Sequence, residues 1–122
     1  MGMDELLVDT DVFIDHLRAF RRLDAREERL AYSVVTRAEL FSGREADRDG
    51  IELLLAPFSE HPVDRAIAER AGLVRRTAQL ALPDALIAAT ALERGLELMT
   101  RNLDHFERVD GLSLRCPPDR VA

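Results

Sequence analysis

The most apolar run of the sequence is LALPDALIAATAL, residues 80–92, and Asp84 is its only charged residue. Pro83 and Asp84 are typical of the first turn of a helix, where proline needs no N–H partner and an acid faces the positive end of the helix dipole. The side chains after Asp84 leave no wet face, so this helix should be buried nearly all round. A carboxylate at the edge of a hydrophobic core needs polar or charged partners.

The composition limits the class of protein. With 122 residues, 47% hydrophobic and 33% charged, we expect one domain, residues 1–122, with one core. The acidic N-terminus is unlike a signal peptide, and no apolar run approaches the roughly 20 residues that span a bilayer. We therefore predict a cytoplasmic protein with no membrane partner. The single Cys116 excludes an internal disulfide and a cysteine zinc site.

The charge balance limits how nucleic acid could be bound. A net charge of −6 argues against a broad basic field, although a cluster of carboxylates that holds cations also makes a chain acidic. All 17 basic residues are Arg and none is Lys. The Arg-rich segment 18–29 and the pair Arg75-Arg76 are either solvated surface or an RNA-contacting rim, and the sequence leaves both open.

Strand-like runs alternate with helical spacing along the chain. Residues 6–8, 30–35 and 96–99 predict strands, 112–114 an edge strand, and 58–61 a strand or a loop. Helices are predicted after the first two strands, from residue 63, and through the apolar run to Gly95. Gly43 and Gly50 leave open whether one helix or two precede residue 58. This alternation predicts an α/β fold with a parallel sheet covered on both faces.

Four acids fall where strands end or helices begin. Asp9 ends the first strand, and Glu39 lies in the helix after the second. Asp84 opens the buried helix, and Asp104 follows the strand at 96–99. In a parallel sheet these segments meet at one edge, which is where α/β proteins bind ligands.

Helix capping is the alternative explanation for these acids. Asp11 is a candidate N-cap of the first helix. Thr36-x-x-Glu39 matches a capping box, in which the Glu bonds back to the backbone of the cap residue. Asp84 could simply open its helix. Four independent caps at one edge are less expected than one acidic pocket, so we predict the pocket.

An acidic pocket calls for a cation. Crowded carboxylates repel one another and burial raises their pKa, so they stay charged at neutral pH only if a cation compensates them. Oxygen ligands favour Mg²⁺ or Mn²⁺, which commonly serve phosphate chemistry as template, Lewis acid and activator of water. His16, His61 and His105 lack partners at metal-ligand spacing, and we predict surface or cap roles for them.

Four blocks of the sequence resemble the PIN-domain ribonucleases, and more narrowly the VapC toxins of bacterial toxin–antitoxin pairs. The blocks are Leu-Val-Asp9-Thr10-Asp11, Thr36-Arg-Ala-Glu39-Leu, Leu-Pro-Asp84-Ala-Leu-Ile-Ala-Ala-Thr90-Ala and Met-Thr100-Arg-Asn102. The resemblance covers about residues 6–114. It implies a PIN-like three-layer α/β sandwich, in which helices flank a mostly parallel central sheet.

The resemblance also implies a function. It implies a Mg²⁺- or Mn²⁺-dependent endoribonuclease that acts on structured RNA such as tRNA or rRNA. It further implies a homodimer, inhibited by a small VapB-type antitoxin that blocks the acidic pocket. The first three catalytic and metal-binding acids of the family fall on Asp9, Glu39 and Asp84 of this chain.

The fourth position departs from the family pattern. The residue two after Thr100, often Asp in the family, is Asn102, and the next carboxylate is Asp104. Where related sequences with Thr-x-Asn commonly carry an acid, three residues after the Asn, this chain has His105. Asp104 is therefore the predicted fourth catalytic and metal-binding acid, with Asn102 as the alternative, and one ion or two remain open. The residues predicted to orient the ligands are Thr10, Asp11, Thr100 and Asn102.

Two other functions fit parts of the sequence. Asp9-Thr-Asp11 after a strand is similar to the acid pair of Asp-nucleophile phosphohydrolases and phosphoreceivers. Those sites usually need a cationic partner, typically Lys, which this chain lacks. The non-enzymatic alternative is a catalytically silent partner-binding module, in which the acids are caps or dock an Arg-rich segment. Tight Mn²⁺ binding at the strand ends would argue against that module.

Overall fold

Strands and helices alternate along the part of the chain that the computed structural model describes, residues 5–17, 29–44 and 46–117. In chain order these elements are β1 (Glu5–Val8), α1 (Thr10–Leu17), β2 (Arg29–Ser33), α2 (Val34–Phe41), α3 (Arg48–Leu55), β3 (Ser59–His61), α4 (Arg65–Ala78), α5 (Leu82–Arg94), β4 (Glu97–Met99), α6 (Leu103–Phe106) and β5 (Leu114–Arg115).

The strands form one sheet in the order β3-β2-β1-β4-β5. Every neighbouring pair is parallel, and Leu7 of β1 lies level with Ala31 of β2 and Leu98 of β4. The strand order therefore reverses beside β1, with β2 on one side and β4 on the other. This confirms the predicted parallel sheet and brings the carboxyl ends of β1 and β4 next to each other.

Alternate residues of the strands point into two separate hydrophobic cores. Leu7, Ala31 and Leu98 pack with α4 and α5 on one face of the sheet. Leu6 and Val8 point to the other face and pack with α1, α2 and α3. Side chains alternate between the two faces of a strand, so a strand buried on both sides reads as a continuous apolar run. The predicted three-layer sandwich is thus confirmed.

Helix α5 is buried as the sequence predicts. Pro83 lies in its first turn, and Gly95 ends it with φ of +67°, the left-handed conformation that glycine adopts without strain. Its alanines at 85, 88, 89 and 91 are at most 1% exposed. Small side chains let the helix approach its neighbours closely, so Asp84 lies at the start of a tightly packed helix.

Helix α2 is fastened to its surroundings by Arg37. The Arg37 guanidinium donates from Nη1 to Glu52 of α3 at 2.7 Å and from Nε to Glu60 of β3 at 2.6 Å. Its Nη2 lies 3.1 Å from the Tyr32 hydroxyl of β2. A rigid five-donor fork can hold three partners at once, and these contacts fix the helix that carries Glu39.

Two predicted helix starts are wrong. Helix α1 begins at Thr10, so Asp11 lies inside its first turn and is not the N-cap. The N-cap of α2 is Ser33, whose hydroxyl accepts the Val35 N–H at 3.0 Å. Thr36 therefore lies within the helix, and the capping box is wrong. The reason is that β2 ends at Ser33, earlier than predicted, and serine is itself a preferred cap residue.

The remaining predictions of structure have mixed outcomes. The helical pattern before residue 58 is two helices, α2 and α3, and residues 59–61 are a strand. Arg75 and Arg76 are exposed on α4, and Cys116 is exposed as a free thiol. Most of the Arg-rich segment, residues 18–28, lies outside the described residues. Within the described ranges, no helix combines the length and the apolar character needed to cross a membrane.

Candidate active site at the carboxyl ends of the strands

Asp9 lies at the centre of the site, immediately after β1. Its backbone N–H bonds the Met99 carbonyl of β4 at 2.9 Å, which extends the sheet ladder by one step. Asp9 as a whole residue is only 5% exposed. Oδ1 accepts the Thr10 backbone N–H at 2.8 Å, and Oδ2 accepts the Thr100 hydroxyl at 2.8 Å. Both carboxylate oxygens are therefore fixed by neighbours from β1–α1 and from β4.

The negative charge of Asp9 is energetically unfavourable in the metal-free protein. The pKa of Asp9 is raised from 3.8 to about 7, chiefly by burial and to a lesser extent by the negative charges of Asp11 and Asp84. The hydrogen bonds from Thr100 and Thr10 act in the opposite direction but do not outweigh burial. Asp9, Asp11 and Asp84 thus share one electrostatic environment, and a bound cation would relieve their repulsion.

Asp11 lies two residues after Asp9, in the first turn of α1 and beside an ion pair. Burial raises the pKa of Asp11, and the backbone N–H and the positive charge of Arg101 lower it. The Arg101 guanidinium lies 2.6 Å from the Asp15 carboxylate. Among the described residues, Oδ1 of Asp11 is buried without a hydrogen-bond partner. Asp11 is therefore an additional negative group of the site, tied to the segment after β4.

Glu39 is linked to Asp9 through Thr10, whose backbone N–H donates to Asp9 and whose hydroxyl donates to Glu39. The Thr10 hydroxyl donates to Oε1 of Glu39 at 2.7 Å and lies 2.9 Å from the Thr36 hydroxyl. Because Thr10 has one hydroxyl proton and gives it to the carboxylate, Thr36 must donate to Thr10. The Thr-x-x-Glu pattern thus places Thr36 and Glu39 around the Thr10 hydroxyl, and Ser33 caps the helix.

Asp84 lies in the first turn of α5 and is partly exposed, with 31% of its side chain accessible. Its Oδ2 is 3.0 Å from Nε2 of His105 on α6. The spacing of the histidines gave no signal for this contact. It depends on the path of the chain after β4, which brings α6 back towards the start of α5.

The two candidates for the fourth position lie further out. Asp104 is exposed in the first turn of α6, and in the described part of the chain no hydrogen bond joins it to Asp9, Glu39 or Asp84. The side chain of Asn102 makes neither of the two hydrogen bonds to Asp9 described above. The backbone N–H of Asn102 donates to the Thr100 hydroxyl at 3.0 Å. Asp104 remains a prediction, and Asn102 supports the hydroxyl that holds Asp9.

Asp9, Glu39 and Asp84 lie near the same strand ends, but they do not form a complete metal-binding site in this structure. Over residues 5–17, 29–44 and 46–117, no three His, Cys, Asp or Glu side chains are grouped closely enough to hold an ion in this conformation. The donor set still fits a divalent cation in its chemistry, because the pocket offers carboxylate oxygens whose charges repel one another.

Comparison with known proteins identifies the family. The family model described as "PIN domain" matches residues 6–112. The chain is 42% identical over 128 residues to "Ribonuclease VapC10" of Mycobacterium tuberculosis, covering 95% of this chain and 94% of that protein. A "Toxin-antitoxin complex from Klebsiella pneumoniae" contains a chain that is 33% identical, with a TM-score of 0.78 over 94% of this chain and 99% of that chain.

The fold is shared more widely than the sequence. The structure of "DNA bound VapBC from Salmonella typhimurium" contains a chain with a TM-score of 0.82 at 24% identity, covering 93% of this chain and 98% of that chain. The PIN-domain match spans the acids from Asp9 to Asp104, and the 42% identical relative matches nearly the whole chain. The chain therefore belongs to the PIN-domain family and, within it, to the VapC proteins.

Proposed function

We propose that this protein is the toxin of a VapBC-type pair, an endoribonuclease that hydrolyses phosphodiester bonds of structured RNA such as tRNA or rRNA. The observation that carries the proposal is the buried Asp9 carboxylate, held by two hydrogen bonds and destabilised by the charges of Asp11 and Asp84. A protein keeps such a costly group where a bound ligand compensates it. Membership of the VapC family supports this reaction class.

The cofactor is a divalent cation, Mg²⁺ or Mn²⁺. PIN-domain ribonucleases generally depend on divalent metals, and a pocket of carboxylate oxygens suits these hard cations. Asp9, Glu39 and Asp84 would hold the ion, with Asp104 or Asn102 as the candidates for a fourth group. When bound, the cation would supply Lewis acidity and positive charge for the attack of water on a phosphodiester.

The chain's own residues prepare the carboxylates for this task. Thr100 and the Thr10 backbone fix both oxygens of Asp9, and the Thr36–Thr10 hydroxyl chain fixes Oε1 of Glu39. Asp84 lies in the first turn of α5, at the positive end of the helix dipole. Side chains that are already oriented lose less conformational freedom when a ligand binds, so these contacts favour binding.

The decisive experiment is RNA cleavage by matched variants. Defined tRNA and rRNA fragments are incubated with the purified protein, with Mn²⁺ or with EDTA, beside Asp84→Asn. Asp84→Asn should abolish cleavage and leave the fold intact. The matched control is Asp110→Asn, because Asp110 is an exposed acid in the turn after α6. Full cleavage by Asp84→Asn, or equal cleavage with EDTA, would contradict the proposal.

The partner is a small VapB-type antitoxin, and the structure offers a groove for it. A depression of about 530 Å³ between α1, α2 and α3 has Glu39 in its wall. It continues at Leu17 and Gly50 into a second depression of about 370 Å³ beside Leu53. Leu17 is 47% and Leu53 77% exposed. An antitoxin segment in this groove would bury exposed leucines and lie against an acid of the site.

We also infer a homodimer, as the family resemblance implies. Two further leucines are exposed away from the groove, Leu73 on α4 at 46% and Leu82 on α5 at 50%, and they are candidates for the contact between subunits. The two partner surfaces can be separated with Leu53→Asp and Leu73→Asp, each serving as control for the other.

The readouts for these two variants are independent. Antitoxin capture uses a VapB-type antitoxin co-expressed with this chain, and oligomeric state is measured by light scattering. Leu53→Asp should weaken capture and keep the dimer, whereas Leu73→Asp should weaken the dimer and keep RNA cleavage by the monomer. The reverse pattern would reassign both surfaces.

A further inference from the structure

His105 of α6 lies against the Asp84 carboxylate at the start of α5. Its Nε2 is 3.0 Å from Oδ2 of Asp84, and its side chain is 29% exposed. The ring packs edge-on against Phe106, with 5.4 Å between ring centroids and an interplanar angle of 83°. The imidazole is therefore held in place by an aromatic neighbour and reaches one oxygen of one acid of the site.

The contact with Arg108 indicates which ring nitrogen of His105 carries the proton. Its Nη2 lies 3.4 Å from Nδ1 of His105, and its Nε lies 3.4 Å from the His105 carbonyl oxygen. A guanidinium group can only donate, so Nδ1 must be the acceptor. In the neutral ring the proton then sits on Nε2, which donates it to Asp84. The Nε2 lone pair is consequently not available to a metal ion in this tautomer.

We propose that His105 fills the fourth position of the site as a positioning residue, which orients Asp84 by donating a hydrogen bond to Oδ2 and leaves Oδ1 for a cation. This inference rests on the proposed function. A hydrogen-bond donor beside Asp84 adds no negative charge to the site, and the candidate acid Asp104 is exposed. Three carboxylates, those of Asp9, Glu39 and Asp84, are then the ligands, and the site binds one divalent cation.

The test measures Mn²⁺ binding to the whole protein by calorimetry, with the EPR spectrum of Mn²⁺ as a second readout. The wild type should bind one ion. His105→Phe keeps the aromatic packing and loses the donor, so its affinity should fall about tenfold or more, as for other groups that orient metal ligands. His105→Gln places an amide N–H near the position of Nε2 and should restore most of the affinity.

Two further variants separate a local role from a general one. His61→Phe removes another histidine–carboxylate contact, the 2.7 Å pair with Glu5 at the start of β1, and should bind Mn²⁺ as the wild type does. Asp104→Asn tests the competing candidate and should lose less affinity than His105→Phe. The unfolding temperature of His105→Phe without metal should stay close to that of the wild type.

Several results would overturn the inference. These are unchanged Mn²⁺ affinity in His105→Phe, no recovery in His105→Gln, a larger loss in Asp104→Asn, or two bound ions in the wild type. Failure of the proposed function has a different signature, because the wild type and Asp84→Asn would then bind Mn²⁺ equally and cleave RNA equally.

Discussion

The Thr100 hydroxyl donates a 2.8 Å hydrogen bond to Oδ2 of Asp9 across 91 positions of sequence. It joins the ends of β4 and β1, which lie side by side because the strand order reverses beside β1. The same hydroxyl oxygen accepts the Asn102 N–H at 3.0 Å. Thr100 therefore links the segment that starts α6 to the most buried acid of the site.

Thr100→Val should destabilise the protein and weaken the site. Valine keeps the shape but removes the donor to Asp9 and the acceptor for Asn102, so buried polar groups lose their partners. The expected loss in the free energy of unfolding is about 1–3 kcal/mol, measured by urea denaturation. Mn²⁺-dependent RNA cleavage should fall as well. Thr100→Ser keeps the hydroxyl and should behave almost as the wild type; equal losses in both variants would contradict this role.

The stability of the metal-free protein should fall as pH rises, because of Asp9. Its pKa is about 7 in the folded protein and 3.8 in its ordinary state, so the folded state binds the proton more tightly. Stability from this group is therefore greatest at low pH and is lost as pH rises from about 4 to about 7.

Asp9→Asn removes that titration, so the stability difference from the wild type measures the contribution of Asp9. In EDTA at pH 8 the variant should be more stable than the wild type, by on the order of 2 to 4 kcal/mol, and below pH 4 the difference should shrink. Urea denaturation at several pH values measures it. Mg²⁺ should stabilise the wild type and leave Asp9→Asn almost unchanged. A variant that is less stable than the wild type at pH 8 would show that the charged form of Asp9 is not costly.

The sequence predicts the buried parts of this site well, because burial and periodicity are local signals. Pro83, the apolar face after Asp84 and Gly95 together specify α5 with both of its ends. Asp9 follows a short apolar strand, and strand alternation alone predicts that its carboxyl end meets the others at one edge of the sheet. The positions of Asp9 and Asp84 on one side of the sheet follow from these patterns.

The errors arise where two local motifs compete or where the path of a loop decides. Thr36-x-x-Glu39 matches a capping box, but Ser33 ends β2 earlier and takes the cap. Asp11 is a good cap residue, yet Thr10 already begins α1. The contact of His105 with Asp84 depends on how the turn after β4 directs α6, for which sequence spacing offers no rule. The residues at which β1 and β2 end decide the two helix starts, and the path of the chain after β4 decides the His105 contact.

Glu39→Gln and Ser33→Ala should separate catalysis from helix capping. Gln keeps an oxygen that can accept from Thr10, so the unfolding free energy should change by about 0.5 kcal/mol or less. Its RNA cleavage should fall about tenfold or more, because loss of a ligand should cost at least as much as loss of a supporting group. Ser33→Ala should cost about 1 kcal/mol of stability and keep cleavage. Both variants are compared by urea denaturation and RNA cleavage, and normal cleavage by Glu39→Gln would remove Glu39 from the ligand set.

Ala89→Leu should show that the close packing of α5 holds the site in place. Ala89 is fully buried and belongs to the core shared with Ile67 and Leu98. A larger side chain must push α5 away from its neighbours, which costs about 1–3 kcal/mol and moves Asp84 relative to Asp9. The same substitution at exposed Ala68 of α4 is the control and should change stability by about 0.5 kcal/mol or less. Thermal unfolding and RNA cleavage are measured for both variants.

Because the displacement acts on the geometry of the acids, cleavage by Ala89→Leu should stay low even at temperatures where the protein is fully folded. Normal cleavage under those conditions would mean that the position of Asp84 does not depend on the packing behind it.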